Sequence, residues 1–221
     1  QLVRSHVPDI IVSDVMMPRM NGYKLCKTIK EDINISHIPV ILLTARDDRQ
    51  SQISGYKNGA DGYLSKPFEV EMLMELIRNR LKNREYTKKR YLNAGLIPTP
   101  EESTISLTDE TFLIKLNSII QENIENSNLG IQFICQEVGL GRSSLYNKLK
   151  ALTGMGANEY ISKLRIEKAI TLISGTDMPF SEIAEKTGFT TPSYFSTAFK
   201  QYTGETPSQY KERKKKGLAD K

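Results

Sequence analysis

Apolar residues change their spacing partway along this chain, and the change divides it into two kinds of structure. In the first part, residues 8–14 (PDIIVSD) and 38–45 (IPVILLTA) are continuous β-branched runs ending in polar residues, and 62–65 (GYLS) is a shorter one. Such runs predict buried parallel strands alternating with helices. Residues 69–86 are amphipathic at helical spacing, with Met72, Leu73, Leu76, Ile77 and Leu81 as candidate buried positions. Residues 87–107 hold two prolines and no sustained period, which predicts an extended connector. Helical spacing then takes over, starting with a helix from about Asp109 to Asn126 that Asp109 is placed to cap.

The helical part repeats itself. When residues 131–160 are set beside 180–210, Gly139 falls on Gly188, Leu145 on Phe195, Leu149 on Phe199, Thr153-Gly154 on Thr203-Gly204 and Tyr160 on Tyr210, with one extra residue in the second turn. Each copy runs from a short amphipathic helix through Gly to a second helix with apolar residues four apart, which predicts helix, tight turn, helix. The glycines suit the left-handed conformation where the first helix stops, and Pro192 suits the first turn of the second. With Leu145, Leu149, Phe195 and Phe199 inward, the outward residues are Arg142, Ser143, Tyr146, Asn147 and Lys150 in one copy, and Ser193, Tyr194, Ser196, Thr197 and Lys200 in the other. Asn pairs with adenine, Arg with guanine, Ser and Thr with either, and Lys with phosphate, so both sets suit DNA. The plain alternative is a repeated helical hairpin that only packs. Residues 158–174 predict a linking helix buried along Ile161, Leu164, Ile166, Ala169, Ile170 and Ile173; seventeen residues span roughly 25 Å.

In an open α/β sheet the site lies at the carboxyl ends of the strands, and those ends here carry Asp14, Thr44 and Lys66. A carboxylate, a hydroxyl and an ammonium gathered there suit capture of a phosphoryl group, with Asp14 as nucleophile. Taken singly, each has an ordinary explanation: a turn former, a β-branched filler, a lysine before proline.

Two resemblances bear on these alternatives. Residues 108–213 resemble an AraC/XylS-type DNA-binding domain, most closely through IAEKTGFTTPSYFSTAFKQYTGETPSQY. The resemblance implies that the linking helix holds both second helices toward successive major grooves, and that the outward sets above contact bases and phosphates. Many relatives carry Arg where Thr197 stands, which implies weaker, more backbone-dependent contact by the second unit. SDVMMPRMNG, LLTA and GADGYLSKPF, separated by 30 residues from Asp14 to Thr44 and 22 from Thr44 to Lys66, resemble the signature segments of a two-component receiver domain. That resemblance implies Asp14 as phosphoacceptor, the Met16 carbonyl as a magnesium ligand, Thr44 as switch hydroxyl, Tyr63 as switch aromatic, Lys66 as phosphoryl partner and a cis Lys66–Pro67 bond. The family's first strand, and the acidic pair that completes its magnesium site, do not occur in this sequence. Gln1 stands where an initiator Met is expected, which suggests that further amino-terminal residues precede it.

Charge agrees with a nucleic-acid partner: residues from 130 onward hold 14 Lys and Arg against 9 Asp and Glu, whereas 1–129 balance at 17 and 17. For the basic run at 211–217 (KERKKKG), a solvated terminus is the alternative to phosphate contact. At 38% hydrophobic and 26% charged, the chain has no long apolar run and no signal peptide. Cys26 and Cys135 show no disulfide or metal pattern, and His6 and His37 no ligand spacing, which suits a reducing cytoplasm. Cys135 aligns with Ala184, as a small side chain where helices cross closely.

The expected architecture is an α/β, flavodoxin-like receiver with a parallel sheet lacking its first strands (1–86), a linker (87–107) and an all-α AraC-type domain (108–221). The latter holds helix-turn-helix units at 131–152 and 180–202. The expected function is that of a non-enzymatic, sequence-specific transcription regulator of a two-component phosphorelay. Its implied partners are double-stranded promoter DNA, a histidine kinase or kinase domain, RNA polymerase, and a second copy through the face at roughly 47–86. The implied cofactor is magnesium, bound only by a complete receiver site. A hybrid sensor kinase, anchored in the inner membrane, is one expected parent. The rival reading is a phosphorylation-independent interaction module with a degenerate receiver.

Overall fold

The computed structural model describes residues 2–45, 59–94 and 106–219. They form two compact units: residues 1–114 with 143–154, and residues 115–142 with 155–221.

In the first unit a short helix α1 (Leu2–His6) leads into three parallel strands, β1 (Ile11–Asp14), β2 (Val40–Ala45) and β3 (Gly62–Lys66), ordered β1-β2-β3. The first two strands begin later than the apolar runs because each run carries a proline at its first or second position, Pro8 and Pro39, which has no N–H for a ladder. Val40, Ile41 and Leu42 are fully buried in the central strand. Helix α2 (Gly22–Glu31) is started by Asn21, whose side chain accepts from the Lys24 N–H at 2.8 Å, and it buries Cys26 and Ile29 against the sheet core. On its outer edge β1 has no partner strand among the described residues, and Val12 there is 38% exposed.

Three expectations are corrected in the elements that follow. Helix α3 (Val70–Ala94) continues eight residues into the stretch expected to be an extended connector. Hydrophobic period fades after Tyr86, but Thr87–Ala94 contains no Gly or Pro, so nothing breaks the helix; residues 95–105 of that connector lie outside the described residues. Met72, expected to be buried, is 61% exposed, while Leu73, Leu76, Ile77 and Leu81 are half-buried. Helix α4 (Leu107–Glu122) is capped by Ser106 rather than Asp109: the Asp109 N–H donates to Ser106 Oγ at 3.2 Å, and that hydroxyl donates to Asp109 Oδ2 at 2.7 Å. Helix α6 (Arg142–Thr153) buries Leu145, Leu149, Ala151 and Leu152, all within the first unit.

The second unit contains α5 (Ile131–Val138), α7 (Ala157–Gly175), α8 (Phe180–Lys186), α9 (Pro192–Thr203) and α10 (Pro207–Ala219). Its core gathers Ile166, Ala169 and Ile173 from α7, Ile183 and Ala184 from α8, Phe195 and Phe199 from α9, and Tyr210 from α10. Phe189, Phe195, Phe199 and Tyr210 form a chain of tilted and edge-on rings with centroids 5.3–5.7 Å apart, a favourable aromatic geometry. The expected stripe on α7 is buried except for Ile170, which is half-buried. Gly139 and Gly188 each adopt φ +73°, the left-handed conformation that ends α5 and follows α8.

Candidate phosphoacceptor and DNA-reading sites

Parallel pairing brings the carboxyl ends of the strands together. Asp14 stands opposite Leu43 on β2, Thr44 opposite Ser65, and Ala45 opposite Lys66 on β3. At this edge Lys66 Nζ donates to Asp14 Oδ2 in an ion pair, and the Met16 N–H donates to Asp14 Oδ1 at 3.0 Å. These contacts, Lys66 first, hold the Asp14 carboxyl below the ordinary carboxylate range, so it is a carboxylate at neutral pH. Thr44 is buried, and its hydroxyl has no hydrogen-bond partner among the described residues. Tyr63 lies half-buried on β3, and the Lys66–Pro67 bond is cis. Gly22 lets the chain close behind the nucleophile: a Cβ there would lie 2.4 Å from the Asp14 carbonyl oxygen.

Asp14 and the Met16 carbonyl are one carboxylate and one neutral oxygen. No group of three metal-ligating side chains occurs among the described residues. Magnesium takes six oxygens in near-ideal octahedral order. The donors present do not make that site.

On α6 the side chains of Arg142, Ser143, Tyr146 and Lys150 are exposed and Asn147 is half-buried, while Leu145 and Leu149 are buried. On α9 Ser193, Tyr194, Thr197 and Lys200 are exposed and Ser196 is half-buried, while Phe195 and Phe199 are buried. Thr191 caps α9, its hydroxyl accepting from the Tyr194 N–H at 3.2 Å. Thr197 spends its hydroxyl proton on the Ser193 carbonyl at 3.1 Å, so it meets a base edge as an acceptor. Tyr202 donates to Glu167 Oε1 at 3.1 Å, tying α9 to α7; burial holds the Glu167 carboxyl above the ordinary range.

One constellation escaped the sequence reading. Lys148, on α6, has no exposed surface. Its ammonium is ion-paired with Asp109, donates to Ser36 Oγ at 2.8 Å and lies 5.1 Å from the centre of the Phe112 ring. Ser36 in turn donates to Asp109 Oδ1 at 2.7 Å. Burial by itself would raise the Asp109 carboxyl, but Lys148 and the hydrogen bonds from Lys148, Ser36 and Ser106 hold it below the ordinary range. The signal was in the spacing: Leu145, Lys148, Leu149 and Leu152 lie at i, i+3, i+4 and i+7, as do Asp109, Phe112, Leu113 and Leu116. A lone charge on each of two apolar stripes, with opposite signs, points to a pair.

A strand-end carboxylate held by a lysine thus stands in one chain with two helix-turn-helix units. Residues 1–78 match the response regulator receiver domain, and residues 134–213 match a helix-turn-helix domain. The chain is 42% identical over 213 residues to "Histidine kinase P4" of Formosa agariphila, covering 96% of this chain and 16% of that protein. It is 30% identical over 162 residues to "Probable transcriptional regulator ycf29" of Pyropia yezoensis, covering 68% of this chain and 73% of that one. Among solved structures, the C-terminal domain of AraT, a response regulator from Geobacillus stearothermophilus, is 31% identical with a TM-score of 0.44, over 46% of this chain and 84% of that domain. The chain belongs to the response regulators, with a receiver domain followed by an AraC-type helix-turn-helix domain. It spans well under two thirds of the length of the first two relatives, 16% of the kinase and 34% of "Response regulator Rre1" from Synechocystis.

Proposed function

We propose that this chain is the output end of a two-component phosphorelay: a sequence-specific transcription regulator switched by phosphorylation of Asp14. The pairing of Asp14 with Lys66 at the strand ends, in a chain that also carries two helix-turn-helix units, supports this reading best. An Asp14 carboxylate oxygen attacks the phosphorus of a phosphohistidine on a kinase. The P–N bond breaks, and the imidazole nitrogen keeps the electron pair and takes up a proton. Lys66 moves its charge from the carboxylate to the phosphoryl oxygens, and the Thr44 hydroxyl donates to one of them, which satisfies a buried donor.

The start of the DNA-binding domain at 108 and the DNA-contacting roles of the outward residues belong to the same reading. So do the second copy through residues 47–86, of which 47–58 lie outside the described residues, and contact with RNA polymerase. Asp14 and the Met16 carbonyl would be this chain's share of a magnesium site, which takes an acidic pair besides. Likeness to a protein named as a histidine kinase supports a parent in which kinase, receiver and reader share a chain. No helix among the described residues is long and apolar enough to cross a membrane; promoter binding places the regulator's work in the cytoplasm.

The test is anisotropy of the full chain with duplex fragments from upstream of its own gene. Asn147→Ala and Thr197→Ala each weaken a selective complex by about tenfold, the cost of losing one base contact, and Thr197→Arg strengthens it. Binding indifferent to sequence and to all three substitutions overturns the reading.

A further inference from the structure

A second group of cations lines a cavity at the amino ends of the strands, where Pro39 precedes β2 and Asp61 precedes β3, away from Asp14. Its volume is about 70 Å³, several times the roughly 10–15 Å³ that one water needs. Two carboxylates line it, and each already has its cation: Asp61 Oδ2 lies 2.8 Å from Lys30 Nζ, and Asp109 holds Lys148. Two guanidiniums are left over. Arg80 and Arg84 stand one turn apart on α3, and both line the cavity. Arg80 Nε is buried without a hydrogen-bond partner among the described residues. The Arg84 side chain, 19% exposed, reaches the Ala151 and Asp9 carbonyls only at 3.4 Å, and the Asp9 carboxylate, itself 91% exposed, at 3.8 Å. Burial pushes this guanidinium below its ordinary pKa. His37 is buried in the same wall, and its Nδ1 has no hydrogen-bond partner either among the described residues.

We propose that this cavity is a binding site for a free tetrahedral oxyanion, inorganic phosphate, held by Arg80, Arg84 and His37. Its volume is far below the roughly 300 Å³ at which sites for drug-sized ligands begin, so it suits the ion and not a nucleoside. Phosphate carries between one and two negative charges at neutral pH, a match for the two surplus guanidiniums. The planar fork of arginine fits its oxygens, and bonds between ionised partners are the strong ones. Burial first, then the Lys148 charge, hold the His37 pKa at about 4, so the ring is neutral at pH 7. As the Nδ1–H tautomer it donates to an anion without adding charge. One ion would satisfy the buried donors of Arg80 and His37 together and give Arg84 a close counter-charge. Water could satisfy the donors but not neutralise the guanidiniums.

NMR of the histidine rings in the full chain tests this, because His37 and His6 are its two histidines and the exposed His6 serves as internal reference. Inorganic phosphate, titrated at constant ionic strength, is expected to shift the His37 signals saturably and leave those of His6 in place. Sulfate competes, chloride does not, and glycerol phosphate, whose tail the cavity cannot house, binds more weakly. Arg80→Gln and Arg84→Gln each weaken phosphate binding by about tenfold, the loss of one charge-assisted contact. Lys27→Ala, which removes an exposed charge outside the cavity, leaves it unchanged. Absence of a saturable shift at His37, or a shift that chloride reproduces, overturns the site. Binding that survives in both arginine variants, or that falls as far in Lys27→Ala, also overturns it. Glycerol phosphate binding as tightly as phosphate overturns the assignment to a free ion. Should an arginine variant fail to fold by circular dichroism, the wild-type competition between phosphate, sulfate and chloride still decides.

Discussion

Gly139 and Gly188 hold the same place in the two helix-turn-helix units and the same φ of +73°, yet their surroundings differ completely. A Cβ on Gly139 would meet nothing within 4 Å, whereas one on Gly188 would lie 2.2 Å from the Ile124 carbonyl oxygen and 2.9 Å from the Arg165 guanidinium. The second-helix positions diverge in the same way. The first unit has a buried lysine at 148 where the second, in the same alignment, has Ala198, and the second unit relies on a run of aromatic rings instead. An internal repeat thus transmits backbone conformation faithfully and tertiary load hardly at all.

Four measurements break or sharpen that contrast. Lys148→Ala strands a buried carboxylate and is expected to cost about 3–5 kcal/mol in urea denaturation. Lys150→Ala, two residues on and exposed, stays within about 0.5 kcal/mol; equal losses would show that the cage contributes nothing. Gly188→Ala is expected to cost about 3 kcal/mol or more, since carbonyl and guanidinium must both shift, against about 1 kcal/mol for Gly139→Ala. Similar values for the two glycines would erase the difference.

The third measurement follows His37, buried beside Lys30, Arg84, Asp109 and Lys148. Burial first, then the Lys148 charge, lower its pKa from 6.5 to about 4. The fold accepts the neutral ring, so this contribution is complete above pH 6.5 and is lost as pH falls from 6.5 through 4. A loss of roughly 1–3 kcal/mol across that window is expected. His37→Gln should remove it and leave only the later, carboxylate-driven loss at Asp109; a variant with the same pH profile as wild type would count against the assignment. Smallest is Thr191→Ala, which deletes the cap of α9 and is expected to cost about 1 kcal/mol.

Much of the local structure was legible because the chemistry was local. Glycine at a helix end and proline at a helix start announce their own dihedrals, and Leu145, Leu149, Phe195 and Phe199 announce their face. Asp14, Thr44 and Lys66 converge because parallel strands necessarily gather their carboxyl ends on one edge. What escaped depended on distant partners. Met72 satisfies a helical period yet meets no core. Lysine is solvated by default, so residue type gives no sign of the burial of Lys148, although its spacing places it on an apolar stripe. Helix α3 runs through Thr87–Ala94 because absence of a breaker outweighs a faded period.

The cage around Lys148 also gives the two readers different thermal characters. Hydration of charged groups becomes less favourable on heating, so the cost of keeping an ion pair dry shrinks with temperature. Apolar association behaves otherwise, weakening on cooling and levelling off when warm. The aromatic run that seats α9 is therefore the contact that chilling loosens, whereas the Lys148–Asp109–Ser36 anchor on α6 gains relative weight toward the warm end of the range.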